Sequence, residues 1–277
     1  IGLHRLNPDD TLMLDGNGQP IETYGPNDIV GLSRVFTGFS WAGCNNALDS
    51  CFNGSGTQSP NREVMPMQSF ARWHSTSEKS FLGTTIPANA TPDPVGDLNA
   101  ALNWIFNHPN VGPFIGRQLI QRLVTSNPSP AYVGRVAQAF NTGRYQSGAY
   151  IVGTGQRGDL RATIAAIILD IEARTVPSGN PGKTREPILR VAQWMRAFNA
   201  RSSSGLFLLG TTDDPATSLG QSPMRAPTVF NFYRPGYVPP NTAIATAGLV
   251  APEFQMVNEV SVVGYSNFMR SVMLNGA

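Results

Sequence analysis

The stretch that decides the fold runs from Thr91 to Arg201 and opens TPDPVGDLNAALNWIFNHPNVGPFIGRQLIQRLVTSNPSPAYVGRVAQAF (Thr91–Phe140). Each segment in it carries a start signal followed by apolar residues at helical spacing. Asp93 caps, and Pro94 fills a first helical position whose N–H would be unpaired anyway. Leu98, Ala101, Leu102, Ile105 and Phe106 then share a face until His108-Pro109. A second helix starts around Pro113, with Phe114, Ile115, Leu119 and Leu123 inward and Arg117, Gln118, Gln121 and Arg122 outward. Ser129-Pro130 opens a third over Val133, Val136, Ala137 and Phe140, and Asp159 a fourth over Leu160, Ile164, Ile167, Ile168 and Ile171. Thr184 caps a fifth, with Pro187 in its first turn and Ile188, Val191, Ala192, Met195 and Phe198 inside. Capped helices on short Pro/Gly connections predict a mainly α fold with a bundle-like core over 91–201.

Upstream, residues 1–90 read as a hairpin, a helix and loops. Asp15-Gly16-Asn17-Gly18 is a tight-turn signal between two extended runs, a small N-terminal β-hairpin. The Asn and Asp residues around it lack the spacing and terminal Glu of a calcium loop, so turn chemistry accounts for them. Asn27 and Asp28 cap a helix through about Phe39. The loop that follows holds CNNALDSC, and a disulfide between Cys44 and Cys51 is the preferred reading over two free thiols or a weak metal pair. Downstream, residues 202–277 form a long Pro/Gly-rich aromatic arm and a C-terminal helix from Glu253 to Leu274. The chain is expected to be a single domain of three parts, 1–90, 91–201 and 202–277. Because it starts at Ile1, without an initiator Met or a signal peptide, it reads as a fragment or a processed product.

Composition excludes several function classes. Charged residues are 14% of the chain and the formal charge is only +2, spread along it, which is not the clustered basic footprint of a nucleic-acid protein. No apolar run approaches the roughly 18 residues that span a bilayer. Neither GxGxxG nor GxxxxGK[ST] occurs, so no nucleotide cofactor is expected, and no GxSxG elbow marks a serine esterase.

The densest polar segment is FARWHSTSEKSFLG (Phe70–Gly83), which brings His74, Glu78 and Lys79 within six residues. On a helix, His74 and Glu78 would share a face and could move a proton. Ser75, Thr76 and Ser77 favour a surface turn with one hydrogen-bonded histidine instead. Two ligands do not make a metal site, and none is expected. Three functions compete. A hydrolase acting on polysaccharide or cell-envelope material needs a carboxylate pair, with Glu63, Glu78, Glu172 and Glu253 available, and sugar-stacking aromatics such as Phe230, Phe232, Tyr233 and Tyr237. A non-catalytic envelope binding or assembly protein would use the arm as its interface. An esterase would have to use His74 as its base. A hydrolase site is expected where the His74–Lys79 segment meets the arm from Gln221 to Tyr237.

Several phrases, in order, carry a resemblance: IGLHRLNPD (1–9), YGPNDIVGLSRVFTGFSW (24–41), the 74–83 segment, FNHPNVGPFIGRQLIQRLVTSNPSPAYVGRVAQAF (106–140), GKTREPILRVAQWMRAF (182–198) and GQSPMRAPTVFNFYRPGY (220–237). Together they resemble the C-terminal part of the bacterial family filed as domain of unknown function 1800. The resemblance implies a mostly helical, exported or envelope-associated protein from a longer precursor. It also implies a sulfatase-like envelope neighbour as partner, beside the polysaccharide that the hydrolase reading would take. Asp28, His74, Lys79, Arg117, Arg122, Lys183 and Pro223 fall on its matching positions, so Asp28 joins His74, Glu78 and Lys79 as a catalytic candidate and Arg117 and Arg122 join the aromatics as binding candidates. The chain departs from the family where Ser75 replaces an Asp after His74, and where Phe230 stands in place of a Trp.

Overall fold

Helix starts in this chain are set by residues that replace missing backbone partners, and the first one shows how. Pro26 begins α1 (Pro26–Val35), and Asp28 reaches back to accept the Gly25 N–H at 2.8 Å, so Gly25 is the cap and Asp28 its reciprocal partner. The helix stops at Val35 because Gly38 turns the chain at φ +79°, where a Cβ would lie 2.9 Å from the backbone of Phe70 and His74. Phe39–Ser40 (β1) then pairs with Gln68–Ser69 (β2), so the expected helix ends one turn early.

The computed structural model describes residues 1–45, 47–55, 59, 61–175, 183–205, 210–228 and 231–275. After α1 and β1 come α2 (Asp49–Phe52), β2, β3 (Lys79–Phe81), β4 (Thr84–Ile86), α3 (Pro94–Asn107), α4 (Val111–Leu123) and α5 (Pro130–Thr142). Then follow β5 (Tyr145–Ser147), β6 (Tyr150–Val152), α6 (Leu160–Leu169), α7 (Ile171–Arg174), α8 (Pro187–Ala197), α9 (Ala243–Thr246) and α10 (Glu259–Asn275). The three sheets among the described residues have two strands each, so the fold is mainly α. The N-terminal hairpin survives as isolated bridges, Leu14↔Pro20 around the Asp15 turn and His4↔Glu22 and Leu6↔Leu12 beside it. Cys44 and Cys51 are joined by a disulfide.

The chain forms two compact units that interleave along the sequence. The first comprises Ile1–Gly116, Val133–Arg144 and Gly153–Thr163; the second Arg117–Tyr132, Tyr145–Val152 and Ile164–Ala277. In the first, α1 lies so close to β3 that a Cβ on Gly31 would sit 1.7 Å from the Ser80 carbonyl oxygen. That approach buries Val35 and Phe81 with Ala101 of α3, each side chain worth roughly 1.5–3 kcal/mol when it is as large as Val or Phe. Asn110 stitches the N-terminal segment in place: its amide nitrogen donates to the carbonyls of Ile1 and His4 (2.8 Å each) and its oxygen accepts the Leu6 N–H. In the second unit, Val191 of α8 and Met269 of α10 pack on Leu219, and α10 approaches Pro215–Ala216 closely enough to require Gly264.

The helical stripes need correction in their phase. On α5 Val133, Val136, Ala137 and Phe140 are all buried, as the spacing requires. On α6 the buried residues are Ala162, Thr163, Ala166 and Ile167, while Leu160 and Ile168, and Ile171 at the start of α7, are more than half exposed. Small side chains let a neighbour come close, and that close contact outbids the larger residues on the opposite face. On α4 Leu123 is exposed and Gln121 is 4% exposed, the reverse of the expected pattern. Gly116 packs on Val136 and Ile120 is fully buried, which fixes the phase, and Gln121 survives burial by donating to the carbonyls of Ser126 and Pro235.

Candidate functional site

Two clusters of buried charge stand out, one in each unit. In the first unit, the 3-10 turn Ala71–Trp73 ends in an extended His74, and β3 begins five residues later. This places His74 and Lys79 on either side of Asp97, which lies in the first turn of α3. His74 Nε2 is 2.9 Å from Asp97 Oδ2, and Nδ1 is 2.9 Å from the Thr37 carbonyl oxygen. An imidazole meets two acceptors only by donating from both nitrogens. Lys79 Nζ donates to the same Oδ2 at 2.7 Å and to the carbonyls of Ser75 (2.7 Å) and Ser77 (3.1 Å), using all three donors. Burial pushes the Asp97 carboxyl up, but the donations from His74 and Lys79 and their charges outweigh it, leaving the group below the usual carboxylate range.

This cluster has no vacancy. Both ring nitrogens and every ammonium proton are engaged, and the His74 and Lys79 side chains are 0% and 1% exposed. The two other catalytic candidates of this region are engaged elsewhere. Asp28 closes the α1 cap and accepts the Leu82 N–H at 2.6 Å, and Glu78 lies outside, accepting from Ser80 Oγ at 3.2 Å. The histidine expected in a surface turn is therefore a buried strut. Asp97, which organises it, was absent from the sequence-based candidates; its position four residues after the Asp93 cap was the available signal.

The second cluster grows from the start of α8. Glu186 occupies the cap position, but Pro187 offers no N–H, and the Ile188 N–H is taken by Gln221 Oε1 at 3.2 Å. Freed from capping, the Glu186 carboxylate accepts the Tyr233 hydroxyl at 2.5 Å and the Gln221 side-chain amide. Arg122 of α4 lies with its guanidinium 4.2 Å from the Tyr233 ring centroid and Nη1 3.7 Å from Glu186 Oε1. Tyr233 is 2% exposed, and its hydroxyl is pushed far above the usual phenol range by burial first, then by Glu186 and the charge of Glu253, with Arg122 opposing. It is a permanent donor at physiological pH.

Glu253 completes the group. It sits in the 3-10 turn Pro252–Met256, 2% exposed, with Oε1 held by Lys183 Nζ. Its Oε2 has no partner among the described residues. Arg122 Nη1 likewise makes no hydrogen bond among the described residues, its contact with Glu186 being an ion pair at 3.7 Å, so two of the four such buried side-chain atoms belong to this cluster. An unmet buried polar atom costs roughly 1–3 kcal/mol, and more when it is charged. Glu253 and Lys183 line a pocket of about 290 Å³ with Ser126, Asn127, Thr184 and Phe254. Among the described residues no group of three His, Cys, Asp or Glu side chains is placed to hold a metal.

The remaining candidates divide cleanly. Tyr233 and Arg122 enter the second cluster, whereas Phe232, Tyr237 and Arg117 are half-buried elsewhere in that unit. Glu172 serves as a cap for α5, accepting the Ser129 N–H at 2.8 Å and its hydroxyl at 2.5 Å. Phe230 and the Glu63 side chain lie outside the described residues. Glu186 and Gln221 were missed: the cap of α8 was expected at Thr184 but falls at Glu186, directly before Pro187, and a Gln in a Pro/Gly-rich arm gives no signal. The model of a family described as a protein of unknown function, DUF1800, matches residues 3–274. No curated protein and no solved structure matches the chain.

Proposed function

The chain belongs to the DUF1800 family, and from that premise we propose that it is an exported, envelope-associated protein whose working site is the Lys183–Glu253 pocket of the second unit. The observation that carries this is the buried Glu253 Oε2, unpartnered among the described residues in a side chain that lines a pocket. A carboxylate oxygen so placed calls for a hydrogen-bond donor, and a hydroxyl or ammonium group of a small ligand supplies one. A volume of about 290 Å³ suits one sugar ring or an amine-bearing terminus of an envelope polymer, not an extended chain. The best-supported function is thus binding of such a terminal group. The Cys44–Cys51 disulfide supports the oxidising compartment that the envelope assignment requires. The bundle-like arrangement of the helices belongs to the same proposal, supported by their successive caps and short connections.

A second reading is favoured by one further fact: the charges of Glu186 and Glu253 both bear on Tyr233. Two carboxylates in one cluster are the minimum for a hydrolase acting on polysaccharide. In that reading Glu253 moves the proton, because both Glu186 oxygens are engaged by Tyr233 and Gln221. An esterase through His74 gains nothing from its surroundings, since both ring nitrogens are engaged.

The test is calorimetric titration with glucosamine, ethanolamine and glucose, run beside reducing-end release from bacterial polysaccharides, on wild type and Glu253→Gln. Saturable binding that is lost in the variant, without release, supports the binding role. Release lost in the variant supports the hydrolase. Binding or release unchanged in Glu253→Gln removes the pocket from both.

A further inference from the structure

The first unit holds a larger pocket that neither buried cluster uses. Its volume is about 650 Å³, and it is lined by Arg5, Asn7, Met13, Trp104, Asn107 and His108, with Leu6, Pro8, Leu82, Pro109 and Asn110 completing the wall. Three features set its chemistry. The first is charge: Arg5 is exposed, no ion pair of its side chain occurs among the described residues, and no carboxylate lines the pocket. The second is His108. Its Nδ1 accepts the Asn110 N–H at 3.1 Å, so the neutral ring carries its proton on Nε2 as a donor. Burial, with the positive charge of Arg5, pushes the His108 imidazole below its usual range. The third is an apolar wall. Trp104 is 45% exposed, and its indole N–H is fixed to the Leu82 carbonyl oxygen at 3.0 Å, which holds the ring in place.

We propose that this pocket is a binding site for a small organic anion with an apolar face, a sugar acid being the chemical class that fits best. Arg5 meets the carboxylate, His108 Nε2–H donates to a ring oxygen or the same carboxylate, and Trp104 stacks against the apolar face of the ring. The volume accommodates one or two such rings. A neutral ligand would forgo the ion pair with Arg5, and an acid without a ring would forgo stacking on Trp104. The site lies in the other unit from the Glu253 pocket and stands or falls independently of it.

The experiment titrates the whole chain with D-glucuronate, D-glucose and acetate, reading heat and the NMR signals of the His108 ring. Glucuronate is expected to bind at least tenfold more tightly than either control, to move the His108 resonances, and to lose that advantage in Arg5→Gln. Arg5 is exposed with no side-chain partner among the described residues, so the variant keeps the fold, and an unchanged urea-unfolding midpoint checks this. Glucose binding as tightly as glucuronate would overturn the anion assignment. Acetate binding as tightly would overturn the stacking role of Trp104. Glucuronate affinity unaffected by Arg5→Gln, or no movement of the His108 signals, would overturn the site.

Discussion

His74, Lys79 and Asp97 in the first unit, and Lys183, Glu253, Glu186, Arg122 and Tyr233 in the second, are both buried clusters of opposite charge, yet they differ in what is left over. In the first, both ring nitrogens of His74 and all three ammonium protons of Lys79 are engaged. In the second, a carboxylate oxygen of Glu253 and a guanidinium nitrogen of Arg122 make no hydrogen bond among the described residues. Saturation is what a strut requires, because a buried ion pair survives only when its remaining hydrogen bonds are satisfied. Open valences are tolerated where a ligand will supply them. The proposed site therefore rests on unspent hydrogen-bonding capacity, since burial and charge are common to both clusters.

The largest effect should come from breaking the saturated cluster. Asp97→Asn leaves His74 and Lys79 buried without their carboxylate, and a loss of about 3–5 kcal/mol in urea-unfolding stability is expected. Glucosamine or ethanolamine binding to the fraction that remains folded should persist. The same substitution logic applied to Glu253→Gln gives a smaller stability loss, about 1–3 kcal/mol for the weakened contact with Lys183, together with lost ligand binding. If the two variants exchange these phenotypes, the assignment of roles is reversed.

Changing pH should separate the units. Asp97 has a depressed pKa in the folded chain, so its stabilisation is present above the ordinary value of 3.8 and is lost as pH falls through the folded value. Asp159, lowered to about 2 by the N–H groups of Ala162 and Thr154, acts in the same direction on the same unit. Tyr233 has a raised pKa, so its contribution is present below the ordinary value of 10.0 and is lost as pH rises through the folded value. Hydrogen exchange read by mass spectrometry is expected to loosen the first unit first in acid and the second first in alkali. Two smaller changes sharpen the contrast. Tyr233→Phe removes one hydrogen bond to a carboxylate, costing roughly 1.5–3 kcal/mol. Glu78→Gln, on an exposed side chain, should stay within about 0.5 kcal/mol of wild type and leave both clusters intact.

Much of the fold was legible because caps and proline positions are local signals. Asp93 with Pro94, Ser129 with Pro130 and Asp159 each start a helix where the sequence places them. Helix phase was less legible, since Ala162, Thr163 and Ala166 are buried by close approach, which apolar periodicity does not record. The site was the least legible. Tyr233 and Arg122 could be singled out, but Glu186 was passed over for Thr184 as the cap, and its release from capping depends on Gln221, thirty-five residues away. Long-range hydrogen bonds between loops leave no periodic trace. His74 drew notice as a rare residue, although rarity here reflects its place in a strut.

The central claim is tested most directly by thermal shift of wild type, Glu253→Gln and His74→Gln against the same glucosamine and ethanolamine series. The account predicts a concentration-dependent rise in melting temperature for wild type. It predicts the same rise from a lower baseline for His74→Gln, and none for Glu253→Gln. A rise retained in Glu253→Gln and lost in a folded His74→Gln protein would contradict it, and would move the working site to the first unit.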